Sequence, residues 1–378
     1  MARTIVDIHV IQTVPPSNLN RDDTGSPKTA VYGGKRRARV SSQAWKRATR
    51  DAFEHILDRA ELGVRTKRMV ELLGDEITKQ DPVLEHQSAE LAAAVLESAG
   101  IKIKASRKSG ALPEAGYLIF LSRRQIEGLA ALAIQTVRTA GEGMLDFPKG
   151  EAKARVGRDH SIDVSLFGRM VAEVADLNVD AAAQVAHALS VHAVDNEYDF
   201  FTAMDDQKGA SNEEDAGAGM IGTFEFNSST LYRYATVDVN RLHDNLGDPE
   251  VTRRAVEAFV RAFVSSMPTG KQNTFANRTL PDAVLVMVRD TQSVNLVGAF
   301  EDPVVDGADG GRIAESIRRL VAHGKDLHTA FDEQPIAGWY FGAGDRVAPL
   351  TELGEHTTFA TAVAGLGKLV ADRLADTP

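Results

Sequence analysis

The first residues of the chain alternate between two faces. Over residues 4–14, Val6 and Ile8 fall on one face, and Asp7 and His9 fall on the other. A period of two predicts a half-buried β-strand. A long polar loop is predicted next, because proline and turn residues are frequent in the segment PPSNLNRDDTGSPK. Loops of this length in compact domains are usually functional or disordered.

A helix is predicted to follow this loop. Ser41 or Ser42 suits its N-cap, and its body is the segment QAWKRATRDAFEHIL. One face is apolar at helical spacing and contains Trp45, Ala48, Ala52 and Ile56. The opposite face carries polar and basic side chains, namely Gln43, Lys46, Arg47 and Arg50. We expect this helix to dock by its apolar face and to present a basic stripe.

The rest of the chain mixes helical and strand patterns. Residues 61–190 read as mostly helical, the last such segment being DAAAQVAHALSVHAV, and predict an inserted helical subdomain. Strand patterns return in EYDFFTAM and MIGTFEFNSSTLYRYATVDV, which flank an acidic, Gly-rich stretch and predict a long hairpin. A helix, a polar loop, a buried strand in AVLVMVRD and two final helices complete an α+β pattern.

Charge is distributed unevenly along this pattern. The 378 residues carry a net charge of −10, but residues 1–50 hold ten Lys or Arg against three Asp, a charge of +7. The remaining residues carry a charge of −17. Such asymmetry predicts a polyanion partner that binds along one defined track.

The composition also limits the chemistry. The sequence contains no cysteine, which excludes disulfides, zinc–cysteine sites and cysteine nucleophiles. Asp7 and His9 interrupt the first apolar run, so we do not expect a signal peptide. No stretch approaches the roughly 18 apolar residues of a membrane helix. We expect a soluble, cytoplasmic protein of two or three domains.

The segment GGKRRARVSSQAWKRA, residues 33–48, is the strongest candidate for binding. No acidic residue occurs from residue 35 to residue 50, whereas a solvated charged face normally mixes both signs. This favours a track for phosphates. Gly33 and Gly34 either let the backbone approach a ligand or form a plain turn. In the preceding loop, Arg21 beside Lys28 could clamp a phosphate.

Enzymatic and metal-binding interpretations have weaker support. Asp22 and Asp23 could bind a metal, but no further ligand stands at a suitable spacing. The segment PTGKQN resembles a P-loop but lacks its first glycine, and Gln272 replaces the Ser or Thr. Lys271 in this turn fits a nucleic-acid backbone instead. The histidines lack the spacing of a known catalytic motif; the candidates considered are His9, His55, His160, His187 and His192. We predict no cofactor and no metal.

Apolar side chains of the hairpin have two interpretations. Phe200, Phe201, Met220, Phe224 and Phe226 either belong to the core or, near the tip, wedge between nucleic-acid bases. Met170, in the segment DVSLFGRM, has the same two interpretations.

Several long segments together carry a family resemblance. They are SNLNRDDTGSPKTAVYGGKRRARVSSQAWKRATR, IDVSLFGRM, VDNEYDFFTAMDD, STLYRYATVDV and PTGKQNTFANRTLPD. In this order, over about residues 5 to 290, the chain resembles the CasC family, the backbone subunit of the type I-E CRISPR Cascade complex.

The resemblance implies a hand-like fold. Its palm is a modified ferredoxin-like (RRM-like) domain, its fingers are the inserted helical domain, and its thumb is the long β-hairpin. The implied bounds are 1–60 for the first part of the palm, 61–185 for the fingers, 186–300 for the second part of the palm with the thumb at about 198–236, and 301–378 for the C-terminal palm helices.

The resemblance also implies a non-catalytic role on RNA. Several copies stack head-to-tail along one CRISPR RNA, and each thumb flips out a base while the other bases stay free to pair with target DNA. Other Cascade subunits, namely the large, small, cap and crRNA-processing subunits, are the implied partners. The residues implied to bind RNA phosphates are Arg21, Lys28, Ser42, Gln43, Lys46, Arg47, Arg50 and Lys271. The implied wedge residues are Met170, Phe200, Phe201 and Met220.

The ordinary RRM signature with its stacking aromatics is absent from the sequence, so backbone contact plus wedging is the expected mode of RNA binding.

Two rival hypotheses stay open. An RNA-processing endoribonuclease is the alternative function, with Asp22 and Asp23 as the residues to test. The third hypothesis is a protein-only assembly subunit whose basic face docks an acidic partner.

Overall fold

The computed structural model describes residues 3–106, 108–140, 147, 149–171, 174–203, 220–305 and 311–376. The chain forms two compact units, each built from three segments. The sheet unit comprises Met1–Ala52, Val185–Thr236 and Phe259–Leu369; the helical unit comprises Phe53–Gln184, Val237–Ala258 and Val370–Pro378. In the residues that the structure describes, no helix combines the length and the apolar character needed to cross a bilayer.

Both α-helices and β-strands are well represented, as the α+β prediction requires. The described strands are β1 Ile5–Ser17, β2 Thr29–Tyr32, β3 Lys35–Val40, β4 Gly63–Thr66, β5 Ile103–Lys104, β6 Glu114–Ala115, β7 Ile119–Ser122, β8 Ala183–Val185, β9 Ala188–Ser190, β10 Glu197–Ala203, β11 Met220–Asp238, β12 Ala283–Arg289, β13 Ala337–Gly342 and β14 Glu355–His356. The described helices are α1 Ser42–Phe53, α2 Met69–Gln80, α3 Ser88–Ser98, α4 Arg123–Ala140, α5 Lys149–Val156, α6 Ile162–Phe167, α7 Val239–Leu246, α8 Pro249–Ser265, α9 Gln272–Phe275, α10 Gly311–Phe331 and α11 Phe359–Ala375.

One large mixed sheet organises the strands. Its main path runs β14-β13-β12-β1-β11-β9-β3-β2, and β8 and β10 each also pair with β11. β1 pairs antiparallel with β12, from Ile5 opposite Arg289 to Ile11 opposite Ala283, whereas β13 and β14 run parallel. The α+β class is therefore confirmed, with β1 at the centre of the sheet.

Strand β1 is more buried than its alternation predicts. Asp7 and His9, expected on a solvent face, are at most 1% exposed. The Asp7 carboxylate accepts hydrogen bonds from the Tyr234 hydroxyl at 2.7 Å and from Arg289 Nε at 3.0 Å. His9 Nδ1 lies 2.8 Å from the hydroxyl oxygen of Tyr232. The polar face of β1 thus forms a buried hydrogen-bonded network, because buried polar groups need partners.

The segment predicted as a helix over residues 180–194 is instead extended. It forms β8 and β9, and β9 lies between β3 and β11 in the sheet. Ala188 and Ser190 are buried, and the Ser190 hydroxyl accepts a hydrogen bond from the Ala38 backbone at 3.0 Å. The helical prediction was wrong because pairing with two neighbouring strands overrides the helix propensity of alanine.

The C-terminal region contains strands as well as the two predicted helices. Helices α10 and α11 are confirmed within the segment expected to be helical. Between them, β13 pairs antiparallel with β12, from Ala337 opposite Val288 to Gly342 opposite Ala283. The prediction of C-terminal helices alone is corrected accordingly, since β13 extends the sheet beyond β12.

The helical unit has a core of its own. Leu73 on α2, Val95 on α3 and Leu129 on α4 are fully buried in one apolar cluster. The unit also takes in residues 237–258, with α7 and part of α8, which the sequence analysis assigned to the palm. The compact units divide the chain differently from the palm and fingers, whose bounds stay predictions.

Candidate nucleic-acid interface

Helix α1 begins where the sequence predicts. Ser41 is its N-cap: its carbonyl oxygen accepts hydrogen bonds from the backbone of Ala44 and Trp45, at 3.0 and 3.2 Å. The side-chain oxygen of Asn20 accepts a hydrogen bond from the Ser41 backbone at 2.8 Å. The start of α1 is thereby joined to the loop that carries Arg21.

The buried face of α1 differs from the predicted one. Trp45, Thr49 and Phe53 are fully buried, whereas Ile56 lies beyond the end of the helix and is 37% exposed. The helical spacing of apolar residues correctly predicts that Trp45 is buried. The helix ends at Phe53, before Ile56, the last residue of the predicted apolar face.

Trp45 fixes α1 to the sheet through a buried arginine. The Arg233 guanidinium on β11 lies 3.7 Å from the Trp45 ring centre and 4.5 Å from that of Phe263. It also donates to the Gln12 side chain and to the Phe263 carbonyl. A desolvated cation held between two aromatic rings gives α1 a fixed position on the sheet.

The outer face of α1 carries the predicted basic stripe. Gln43 and Arg47 are exposed, while Ser42, Lys46 and Arg50 are partly exposed. Arg47 Nε lies 3.7 Å from a carboxylate oxygen of Asp51, in a pair whose side chains are 85% and 68% exposed. Pairs this exposed contribute little, so Asp51 leaves the charge of Arg47 available to another anion.

The loop before β2 is organised by Asp22. Its carboxylate accepts hydrogen bonds from the Thr24 backbone and hydroxyl, at 3.0 and 2.7 Å, and from the Ser26 backbone at 3.0 Å. These bonds, first that from the Thr24 hydroxyl, lower the pKa of Asp22. Asp22 thus shapes the loop that presents the exposed Arg21. Within the described residues, no three acidic or histidine side chains are grouped as metal ligands.

Lys28 and Arg39 border a small cleft on the sheet unit. The cleft is lined by Asn20, Lys28 and Arg39, with Asn227 and Ser229 of β11. Arg39 donates from Nε to the Thr29 carbonyl at 3.2 Å, and its Nη1 lies 3.2 Å from Nδ1 of the exposed His187. Arg39 lies within the segment predicted as a phosphate track, whereas His187 was predicted only among the candidate catalytic or metal-binding histidines.

Part of the basic segment is structural. Gly33 and Gly34 form the turn between β2 and β3 with φ of +55° and +70°, and a Cβ at Gly33 would overlap the carbonyl oxygen of Glu301. Both glycines therefore form a turn, and the approach of a ligand to this backbone stays a prediction. Arg37 is fully buried and donates to the carbonyl oxygens of Ser190 and Phe300, both at 3.0 Å. The phosphate track predicted for this segment does not include Arg37.

The loop containing Lys271 packs against the Arg21 loop. Gly270 lies so close to it that a Cβ there would overlap the Leu19 carbonyl oxygen. Lys271 adopts a left-handed conformation with φ of +52°, and its Nζ lies 5.2 Å from the ring centre of Phe224. Lys271 is thereby placed beside both the Arg21 loop and the hairpin.

The described part of the hairpin is a ladder between β10 and β11. It runs from Glu197 opposite Phe226 to Ala203 opposite Met220, and after Phe226 strand β11 continues into the main sheet. Among the described residues this ladder pairs 197–203 with 220–226, and the thumb bounds of about 198–236 stay a prediction. The predicted acidic tip lies outside the described residues, as does the side chain of Met220, so the wedge role of Met220 stays a prediction.

The two hairpin phenylalanines differ in environment. Phe201 packs over Gly222, with its ring centre 5.6 Å from that of Phe224, which in turn contacts Phe275 at 5.7 Å. Phe201 is 38% exposed, whereas Phe200 is 63% exposed, and Tyr198, two positions away on the same face as Phe200, is 69% exposed. Phe200 and Tyr198 are thus the aromatic side chains of β10 most accessible for contact; the predicted wedge residues include Phe200 but not Tyr198.

Met170, in the helical unit, is the most exposed large apolar side chain among the described residues, at 86%. Its neighbours Arg169 and Val171 are buried. Arg169 donates to the carbonyl oxygens of Phe120 at 3.2 Å and Val156 at 3.0 Å. Met170 is therefore exposed to solvent, and the buried side chains of Arg169 and Val171 fix the backbone on either side of it.

Most candidate histidines have structural surroundings. Burial lowers the pKa of His9 to about 3, and burial together with Arg169 lowers that of His160 to about 4. His192 is buried, and its Nε2 accepts from the Thr230 backbone at 3.1 Å. His55 is exposed. Of these five side chains, His187 alone contacts a basic residue of the cleft.

These contacts gather most of the predicted phosphate-binding residues around one loop. Asn20 joins the Arg21 loop to α1 and, through the Lys28 backbone at 2.9 Å, to the cleft. Gly270 joins the same loop to Lys271. On the hairpin, the backbone carbonyl of Glu225 accepts from Asn18 at 3.0 Å. Within the sheet unit these contacts therefore bring together the segments that carry Arg21, Lys28, Lys271, the stripe of α1 and the hairpin.

Comparisons with known proteins identify the family of the chain. Residues 6–364 match the CT1975-like protein family. The chain belongs to that family. It is similar to a chain of a "CRISPR RNA-guided surveillance complex, pre-nicking", with 36% identity, a TM-score of 0.83 and coverage of 97% of this chain and 99% of that one.

A second solved structure gives the same relationship. A chain of a "CRISPR RNA-guided surveillance complex" is 30% identical, with a TM-score of 0.71 and again 97% and 99% coverage. The comparison with curated protein sequences gave no match. The resemblance to a protein of a CRISPR surveillance complex, first seen in the sequence segments, is confirmed.

Proposed function

We propose that the chain is a non-catalytic, CRISPR RNA-binding backbone subunit of a type I-E Cascade surveillance complex. The observation that carries this proposal is the likeness, over almost the whole of both chains, to a chain of an RNA-guided surveillance complex. A likeness of this length makes the same role in a cytoplasmic complex the simplest function. The basic surface of the sheet unit supplies the chemistry that such a role requires.

The basic surface is suited to phosphates rather than to bases. Arg21, Lys28, Lys46, Arg47 and Lys271 would bind successive phosphates, with Ser42, Gln43 and Arg50 on the same helix adding hydrogen bonds. Contacts to phosphates carry no sequence information, so one protein can hold any guide. They also make the affinity depend steeply on salt, because each neutralised phosphate releases counterions.

The exposed apolar side chains suit a second task, the displacement of bases. In the proposed palm-and-thumb arrangement, Phe200 and Tyr198 on the thumb and Met170 on the fingers would press on the RNA and flip out one base at regular intervals. Phe201 is better suited to stiffening the hairpin, since its ring packs over Gly222. The bases between would stay free to pair with target DNA, while the protein holds the backbone.

The proposed role also implies that several copies of the protein bind side by side along one guide RNA. Copies that contact each other head-to-tail form an open, heterologous assembly rather than a closed ring. The guide RNA and the other Cascade subunits would set its length and cap its ends. Within one copy, the RRM-like palm would supply the groove that the RNA follows.

The endoribonuclease alternative lacks a supporting observation. Such an enzyme needs an acid–base pair at the RNA. The Asp22 carboxylate bonds to its own loop, and His9, His160 and His192 are engaged in internal hydrogen bonds. An assembly subunit that docks an acidic protein would use the same basic surface without RNA.

The decisive experiment is purification with and without a co-expressed CRISPR RNA. We expect a discrete multimer with the absorbance ratio of a ribonucleoprotein, with its mass given by light scattering. Asp22→Asn/Asp23→Asn is the matched control, and we expect it to leave both the complex and the length of the RNA unchanged. RNA-free protein in both preparations, or RNA that the control variant no longer shortens, would contradict the proposal.

A further inference from the structure

The cleft beside β3 has features that the proposed RNA-binding residues do not explain. Its lining includes two cations, Lys28 and Arg39, and no carboxylate. The remaining polar lining comes from Ser17, Asn20, Asn227 and Ser229. The cleft has a volume of about 20 Å³, which accommodates one water-sized group. An oxygen of a phosphate fits such a space, whereas a base or a sugar does not.

His187 extends this cationic pair at its solvent side. It is exposed on the segment just before β9, and its Nδ1 lies 3.2 Å from Arg39 Nη1. Arginine can only donate hydrogen bonds, so Nδ1 of His187 is the acceptor and the neutral ring carries its proton on Nε2. The ring therefore holds Arg39 through one nitrogen and offers a donor through the other.

We propose that Lys28, Arg39 and His187 bind one phosphate of an RNA strand together. The inference rests on the proposed function, since it assigns a site for one phosphate of the same RNA. It adds Arg39 and His187 to the residues named above. Lys28 and Arg39 would contribute charge, and the Nε2–H of His187 would contribute a hydrogen bond. Protonation of the ring would place a second proton on Nδ1 and end its hydrogen bond with Arg39, so that Arg39 Nη1 and the charged ring would both be free to donate to the phosphate.

Protonation of His187 and phosphate binding should favour each other. Burial, then Arg39 on β3 and Lys28 on the preceding loop, lower the pKa of His187 in the free protein. A phosphate placed among these three side chains would offset the repulsion between the cations and raise that pKa again. The RNA complex would then bind a proton that the free protein does not, and the affinity would be highest on the acid side.

The direction in which RNA affinity changes with pH follows from the linkage between proton binding and RNA binding. Binding is strengthened below the His187 pKa of the free protein, and the gain is lost as the pH rises through the higher pKa of the complex. Between those two values the affinity should fall by up to about tenfold per pH unit, since one proton is exchanged. A group such as Lys28, charged throughout this range, gives no such dependence.

The test uses full-length protein and a fluorescein-labelled single-stranded RNA of mixed sequence. Kd is measured from about pH 5 to pH 8 for the natural chain and for His187→Gln, which keeps an N–H donor but cannot be protonated. We expect His187→Gln to lose the acid-side gain and to match the natural chain within about twofold at the alkaline end. His55→Gln, an exposed histidine of the helical unit, is the control and should keep the full dependence.

A second pair of variants tests the geometry independently of pH. Arg39→Gln should weaken binding at every pH and lower the salt slope of log Kd by about one. Arg36→Gln, an exposed position on the same strand that does not line the cleft, should have a smaller effect. Thermal unfolding of each variant shows whether the fold is retained.

The outcomes separate the two proposals. Identical pH profiles for His187→Gln and the natural chain, or an NMR pKa of His187 that does not rise on RNA binding, would overturn this site and leave the proposed function intact. No binding of RNA by the natural chain at any pH and low salt would refute both. Loss of the acid-side gain in His187→Gln alone would establish the site.

Discussion

Two sets of arginines in the sheet unit use the same chemical group in opposite ways. Arg37, Arg233 and Arg289 are at most 1% exposed, and each donates to groups of its own chain. Arg21 and Arg47 are exposed on the loop and the helix that face solvent. The buried set stabilises the sheet, and the exposed set is available to a partner.

The difference shows what a charge count can and cannot reveal. The N-terminal 50 residues carry a charge of +7, yet Arg37 within them is fully buried. Its partners Phe300 and Glu301 lie far along the chain, 263 and 264 positions later. Net charge therefore indicates a candidate region for binding, but burial decides which of its cations are accessible to a partner.

The largest expected effect comes from removing a buried cation. Arg233→Ala loses the stacking with Trp45 and Phe263 and leaves the Gln12 side chain and the Phe263 carbonyl without their donor. We expect the free energy of unfolding to fall by about 3–5 kcal/mol. Urea denaturation followed by tryptophan fluorescence, from Trp45 and Trp339, measures it.

The matched exposed variant sharpens that contrast. Arg47→Ala breaks only a solvent-exposed pair with Asp51 and should change stability by less than about 0.5 kcal/mol. Equal destabilisation by the two substitutions would break the division into structural and binding arginines.

The next effect concerns RNA affinity. Replacing Lys46, Arg47 and Arg50 together by Ala should lower the salt slope of log Kd by about two to three and weaken binding by about 100-fold at low salt. Fluorescence anisotropy over a salt series measures both. Replacing Arg65, Lys67 and Arg124, exposed on the helical unit, removes the same charge and should leave the slope nearly unchanged. Equal slopes for the two triple variants would place the phosphate track elsewhere.

A smaller effect, the change of stability with pH, tests the buried polar residues of the sheet unit. His9 lies in the same network as Arg289, and burial, aided by Arg289 and His328, lowers its pKa to about 3. In the unfolded chain its pKa is about 6.5, so below that pH the unfolded chain binds a proton that the folded chain excludes. Between about pH 7 and pH 5 this should cost about 2 kcal/mol of stability.

Urea midpoints at the two pH values give the size of this dependence. His9→Asn keeps a polar side chain of similar reach and should remove the part of the acid sensitivity that His9 contributes, since His328 and His187 in the same unit also have lowered pKa values. His55→Asn, exposed in the helical unit, should retain it. An unchanged acid dependence in His9→Asn would mean that other groups dominate.

The sequence predicted the elements whose signals are local. The N-cap at Ser41, the buried strand β12 and the two strands of the hairpin each follow from a short pattern of capping, apolar or alternating residues. The segment around β9 misled because its alanines favour a helix in isolation, and strand pairing with β3 and β11 decides otherwise.

In the candidate site, too, local patterns could be predicted from the sequence and long-range contacts could not. The stripe of α1 could be predicted because Gln43 and Lys46 are placed by the period of a single helix. The contact between Arg39 and His187 joins positions 148 residues apart, and no local pattern encodes it. Phe200 and Phe201 were treated alike, because their different surroundings depend on Gly222 of the partner strand and on Phe275 beyond it.

Phe200 and Phe201, which are adjacent in β10, give the smallest predicted effect on RNA affinity and the closest comparison between an exposed and a packed side chain. Phe200→Ala removes an exposed ring and should weaken RNA binding by about tenfold, the contribution of one stacked base, without lowering the unfolding midpoint. Phe201→Ala removes a ring packed on Gly222 and Phe224 and should destabilise the hairpin, seen as faster hydrogen exchange in β10. If Phe201→Ala lost more affinity while hydrogen exchange in β10 stayed unchanged, the packed face, rather than the exposed one, would be the face that meets RNA.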